Sequence, residues 1–246
     1  MEFLYFGQIR NLMDTVVQEE SAVMEQAVEL LVAAIKRKSS IFMFGASHAG
    51  ILTQELFYRA GGLAVINPIF AKELMLDTAP ITHTSAMEQL VGYGRLLAEK
   101  TPLRKNDVLI IHSVSGRNPV AVELAAVAVE KGVSVIGLTN LDYSRSVESR
   151  HPTGKRLFEL CDLVLDNHGE PGDACVAVEG LEQKVGPSST VIGAAILNAI
   201  MVEVTRKLAA EGEVDVPVFY SANIDGGSEK NRHLMNNYSQ AIHYDY

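Results

Sequence analysis

The sequence predicts an α/β fold, a parallel sheet carrying helices on both faces. Short, wholly apolar runs alternate with longer helix-patterned segments along most of the 246 residues. The runs lack polar alternation, as strands covered on both faces do. No linker, low-complexity stretch or internal repeat interrupts the alternation, so the chain reads as one domain, 1–246.

Residues 3–37 read as one long helix or two abutting ones. Ile9, Val16, Val23 and Leu30 fall seven apart, with Met13, Ala27 and Ala34 between them and Glu20 breaking the second row. This narrow stripe either covers the core or forms a dimer seam. "IFMF" (41–44) is a buried strand. Residues 48–62 form a helix closed by Gly61 and Gly62. "LAVIN" (63–67) is a second strand, and residues 85–100 form a helix that stops before Thr101-Pro102. Strand 107–113 leads into helix 119–131, whose start is marked by Asn118 as N-cap and Pro119 at the first helical position. Strands follow at 133–140 and 161–167, then a long helix at 188–211 and a short one at 231–242. The chain thus divides into a helical arm (1–37), a sheet core (38–211) and a tail (212–246).

Composition narrows the partners. Hydrophobic residues are 48% and charged residues 21%, ordinary for a globular protein. A net charge of −9 argues against nucleic-acid binding through a broad basic surface. Two cysteines, Cys161 and Cys175, lack metal-type spacing and fit a reducing cytoplasm. The first twenty residues have no apolar h-region, and no apolar run approaches the ~20 residues of a membrane helix. The seven histidines form no HExxH or HxH pattern, so neither a metal nor a cofactor is expected.

Three polar turns stand where ligands bind in open parallel sheets, at strand carboxyl ends and helix starts. "FGASHAG" offers Ser47 and His48 between Gly45 and Gly50. It is not a P-loop, because Ile51 stands where the lysine would be, nor a dinucleotide fingerprint, because the middle glycine is missing. "HSVSGRNP" sets Ser113, Ser115 and Gly116 before the Asn118-Pro119 helix start. Two hydroxyls, a glycine and free helix N–H groups describe an anion cradle. "VGPSST" brings Ser188, Ser189 and Thr190 to the start of the last long helix, more hydroxyls than one N-cap requires. For each turn the plain alternative is a capped turn without a ligand.

These residues resemble a family. The S-x-S-G turn after a strand and before a helix is similar to the phosphosugar motif of SIS (sugar isomerase) domains. "GASHAGILTQELFYRAGG" resembles their first strand-turn-helix, and "GPSST" their serine/threonine cluster. The resemblance spans residues 35–210, and the whole chain looks most like single-domain bacterial phosphosugar or phosphoheptose isomerases. It implies a three-layer α-β-α sandwich with a flavodoxin-like sheet, and sites shared between subunits. It further implies contacts to a sugar phosphate from Ser47, Ser113, Ser115 and the cluster Ser188, Ser189 and Thr190, to which the turn itself adds Gly116 and Asn118; the apolar stripe of the arm, otherwise exposed, predicts a homodimer or larger. Phosphoheptose isomerase carries a histidine where Ile51 stands here, so its metal site is not expected.

Aldose–ketose isomerisation needs a base to move a proton between C1 and C2, and an acid/base to open the ring. Glu55 is the first candidate base, with Glu179 and Glu182 as alternatives. Eight residues beyond Ser47, it lies roughly 12 Å along a helix, about 80° off the same face. The histidine is sought among His48, His83 and His233, the last in a polar tail that could close over a pocket. Alternatives to an isomerase are a lyase or etherase on a phosphorylated amino sugar, and a non-catalytic phosphosugar sensor.

Overall fold

The computed structural model describes residues 3–212 and 215–245; the outermost residues of the expected arm and tail, and residues 213–214, lie outside these. Five strands form a parallel sheet: β1 (Ile41–Gly45), β2 (Ile66–Pro68), β3 (Val108–His112), β4 (Ser134–Thr139) and β5 (Leu163–Asp166). Their order is β2-β1-β3-β4-β5, the flavodoxin-like order. Ile41 pairs with Val108 and Val108 with Ser134, so the central strands start level.

Side-chain parity along the strands divides the core into two layers. Ile41, Met43, Val108 and Ile110 face one layer, with Leu52, Leu56, Ile192 and Ile196. Phe42, Phe44, Leu109 and Ile111 face the other, with Val120, Leu124 and Ala128. The first layer holds α2 (Ser21–Lys36), α3 (Ile51–Leu56) and α8 (Ser189–Ala210); the second holds α5 (Tyr93–Lys100) and α6 (Pro119–Glu130). Short helices α4 (Thr82–Glu88) and α7 (Leu141–Ser146) border the sheet, an antiparallel hairpin β6–β7 (Ala174–Val176, Val185–Pro187) precedes α8, and α9 (Gly227–Asn237) begins the tail.

The arm is two helices, α1 (Leu4–Glu19) and α2, and Glu20 is the break. Its carboxylate is buried: it accepts the Asp166 N–H at 3.0 Å and lies 3.0 Å from the His168 ring Nε2. Ile9, Val16, Ala27 and Ala34 of the predicted stripe are buried in the first layer, while Met13 remains exposed. The second half of the arm is thus one of the sandwich helices.

Other boundaries differ from the sequence reading for identifiable reasons. The helix expected at 48–62 is a single tight 3-10 turn, Ser47–Gly50, followed by α3, which stops at Leu56. Phe57 is extended there and its ring packs against Tyr244 and Phe70, 4.9 and 5.6 Å between centroids. This aromatic cluster draws the chain out of the helix before the glycines are reached. The helix expected at 85–100 is two, α4 and α5, divided at Gly92, whose φ of +93° no helix continues through. Glu123 of α6 then accepts the N–H groups of Gly92 and Arg95, satisfying the start of α5.

The tail docks at the opposite end of the sheet from the strand carboxyl ends. Buried Asn67 donates to the Ile41, Val65 and Ala241 carbonyls and accepts the His243 N–H, and the His243 ring stacks on Phe42. Among the described residues, no helix is long and apolar enough to cross a membrane.

Candidate functional site

The crossovers on either side of the β1–β3 pair leave in opposite directions. The chain after β1 enters the first layer through α3, and the chain after β3 enters the second through α6. A crevice therefore opens beyond the carboxyl ends of these two strands. It is a cavity of about 260 Å³, lined by the 46–49 and 112–115 turns, Asn118 and the first turn of α6, Glu88, Tyr143, Gly172 and Asp173.

Each turn is shaped by a glycine that no other residue could replace without movement. A Cβ on Gly45 would lie 2.3 Å from the Ala49 carbonyl oxygen, so only glycine lets the Ser47–Gly50 turn fold back on the strand. Ser47 itself holds a φ of +54°. Gly116 has a φ of +58°, and a Cβ there would sit 2.9 Å from the Ser144 hydroxyl. Backbone pairing straps the second turn to β4: Ser113 N–H donates to Leu138, and the Val114 carbonyl accepts from Asn140 N–H and the Thr139 hydroxyl. Among the described residues, the hydroxyls of Ser47, Ser113 and Ser115 have no protein partner, and all three line the cavity. The first N–H groups of α6 lack acceptors inside the helix, and Val120 and Ala121 are part of the wall.

Asn118 occupies the N-cap position but caps nothing with its side chain. Its amide nitrogen donates to Glu88 Oε2 at 2.8 Å, and its carbonyl accepts from Arg150 Nη1 at 2.9 Å. Among the described residues, two carboxylates line the cavity, Glu88 and Asp173, and Asp173 is engaged by the start of α8. Burial raises the pKa of Glu88, while the Asn118 hydrogen bond and the charges of Arg150 and His48 pull it back. A carboxyl raised by desolvation beside polar turns has the character of a proton-transfer group. In the sequence it is one helix acid among many, with no local signal.

His112 was likewise not legible as a site residue. It ends β3, is fully buried and lines the cavity floor. Nδ1 lies 3.1 Å from the Ala49 carbonyl, while Nε2 is buried without a partner, a situation that costs ~1–3 kcal/mol. Burial brings its pKa down to about 4, so the ring is neutral at physiological pH.

The remaining predicted residues lie elsewhere. Glu55 faces α8: its carboxylate pairs with Arg59 and accepts from Asn198 Nδ2 at 3.1 Å. His233 is exposed on α9, 3.8 Å from Asp215, and His83 is exposed on α4. Glu179 and Glu182 are exposed in the β6–β7 connection. Gly116 shapes its turn without lining the cavity, and Thr190 is half-buried outside it. Ser188 and Ser189 are buried and committed to Asp173, whose carboxylate accepts both their N–H groups (3.1 and 2.7 Å) and the Ser189 hydroxyl (2.6 Å). The start of α8 thus carries an anion supplied by the chain itself. Tyr143 and Asp173 complete the wall and were not read from the sequence.

Comparison with known proteins agrees with this architecture. A family model described as "SIS domain" matches residues 4–140. The UPF0309 proteins of Shouchella clausii and Oceanobacillus iheyensis are 52% and 47% identical over 240 residues, covering 98% of this chain and 97% of each relative. Among solved structures, the phosphoheptose isomerase of Neisseria gonorrhoeae superposes with a TM-score of 0.54 at 16% identity, over 82% of this chain and 93% of that one. The phosphoheptose isomerase of Francisella tularensis gives 0.52 at 12% identity, over 82% and 95%. At these identities the likeness is one of fold, and with the flavodoxin-like sheet and its switch-point cavity it matches the family result. The chain belongs to the SIS domain family and, within it, to the UPF0309 proteins.

Proposed function

We propose that the cavity binds the phosphate of a phosphorylated sugar or amino sugar, and that the protein is an aldose–ketose isomerase of that compound. The observation that carries the reading is the convergence of three unpartnered hydroxyls, Ser47, Ser113 and Ser115, on the start of α6. Among the described residues no Lys or Arg lines the cavity, so hydroxyls, backbone N–H groups and the helix dipole would hold the anion. The SIS family membership and the phosphoheptose isomerases of like fold support the same reading.

Glu88 is the base on this reading. It lines the same cavity as the serines, and its raised pKa suits proton abstraction, whereas the Glu55 carboxylate is held by Arg59 and Asn198. His48, exposed and lining the cavity, opens the ring on this reading. The two free cysteines fit a reducing cytoplasm.

The assembly is a homodimer on this reading. A largely apolar groove of about 1090 Å³ runs between α1, α2 and α8, with Val17 and Val202 exposed along it. Its rim carries Glu25 and the ion pairs Glu29–Lys207 and Glu203–Arg206, charges of both signs that a two-fold contact can re-pair with a second copy.

Four measurements test these statements. Calorimetric binding of a panel of hexose and amino-sugar phosphates should show at least one ligand. Replacing Ser113 and Ser115 together with Ala should weaken it by roughly 3 kcal/mol, about two orders of magnitude. Unchanged affinity would remove the cradle. Glu88→Gln should lower turnover by 10²–10⁴-fold while leaving binding within a few-fold; near-normal turnover would show that Glu88 is not the base. Product mass separates isomerisation, which conserves it, from elimination, which does not. Light scattering should show a dimer that Val17→Glu with Val202→Glu dissociates; a monomeric parent chain would refute the assembly.

A further inference from the structure

β3 is built for the core as far as Ile111. Val108, Leu109, Ile110 and Ile111 are all buried among apolar side chains, in both layers. The next residue, His112, is equally buried yet polar. Nothing in the sheet requires a histidine there, and burial penalises one. Its Nδ1 lies against the Ala49 carbonyl, and because a carbonyl only accepts, Nδ1 carries the hydrogen. Nε2 then presents a lone pair, and no described residue supplies a donor to it. The residue also lines the cavity, together with the two serine turns and Asp173, the acid whose charge acts on it. The Ala49 contact fixes both tautomer and ring orientation, so this acceptor is preorganised.

We propose that His112 is a ligand contact, its Nε2 accepting a hydrogen bond from a hydroxyl of the phosphorylated ligand at the cavity floor. The inference rests on the reading of the serine turns as a phosphate site and adds a second recognition element to it. The serines hold the phosphate. His112 selects a hydroxyl-bearing carbon chain over phosphate alone. The neutral imidazole accepts a hydrogen bond without adding charge, and it favours a ligand that places a donor, rather than a bare methylene, at that depth. Buried polar groups of this kind discriminate strongly, since a ligand lacking the hydroxyl leaves the acceptor unpaired.

The test uses two probes, inorganic phosphate and D-sorbitol 6-phosphate, an acyclic polyol phosphate that has no carbonyl to isomerise. The wild-type protein should bind the polyol phosphate more tightly than inorganic phosphate. His112→Phe should weaken sorbitol 6-phosphate roughly tenfold or more and leave inorganic phosphate within about twofold. His112→Gln, whose amide oxygen can take the place of Nε2, should retain most of the affinity. In the wild type, the His112 Nε2 nitrogen resonance should move on adding sorbitol 6-phosphate, a readout independent of whether either variant folds. A static Nε2 resonance in the bound state, or a folded His112→Phe that keeps the polyol preference, overturns the inference and leaves the phosphate site standing. Equal loss of both probes in a folded His112→Phe assigns the ring a structural role and also overturns it. A wild-type protein that binds neither probe overturns the phosphate site and this inference together.

Discussion

Adjacent parallel strands whose crossovers leave in opposite directions cannot close over their shared carboxyl end. In this chain the pair is β1 and β3, and the rest of the site follows from it. The level start of the two strands brings Gly45 opposite His112, so the turns that leave them begin side by side. Each turn then has to reverse sharply toward its own layer. Gly45 and Gly116 permit those reversals, and the polar residues between strand and helix are left facing the gap. A helix start on one wall adds partial positive charge without a cationic side chain.

The far wall depends on contacts distant in sequence. Asp173 caps α8 and faces the cavity, and it belongs to the segment that joins β5 to the β6–β7 hairpin. That segment is held from the N-terminal helices. Glu20, at the break between α1 and α2, accepts the Asp166 N–H and meets His168, while the Tyr5 hydroxyl donates to the Pro187 carbonyl at 2.7 Å. The Tyr5 ring also fills the space beside Gly186, where a Cβ would lie 2.8 Å from it. The arm is therefore part of what positions the site.

What was legible in the sequence is what local chemistry decides. Apolar runs gave the strands, Asn118-Pro119 marked the start of α6, and Ser113, Ser115 and Ser47 were read as turn hydroxyls at strand ends, where the structure has them. Residues whose roles come from packing were not legible. Glu88 reaches the cavity from the end of α4, where Asn118, thirty residues away in sequence, donates to it. His112 read as the last residue of a strand. The serines before α8 looked like a third cradle because their partner, Asp173, lies fifteen residues upstream of Ser188. The early end of α3 likewise reflects rings from residues 70 and 244, which no window around residue 57 contains.

We propose that a phosphate binds between the two serine turns at the β1–β3 switch point. A crystal structure of the protein grown with D-sorbitol 6-phosphate tests it most directly. The account predicts the phosphorus atom at the start of α6, with phosphate oxygens within hydrogen-bond distance of Ser47, Ser113 and Ser115 and Asp173 still bound to α8. A phosphate found at the start of α8 with Asp173 displaced, or an empty switch-point cavity with ligand bound elsewhere, would contradict it.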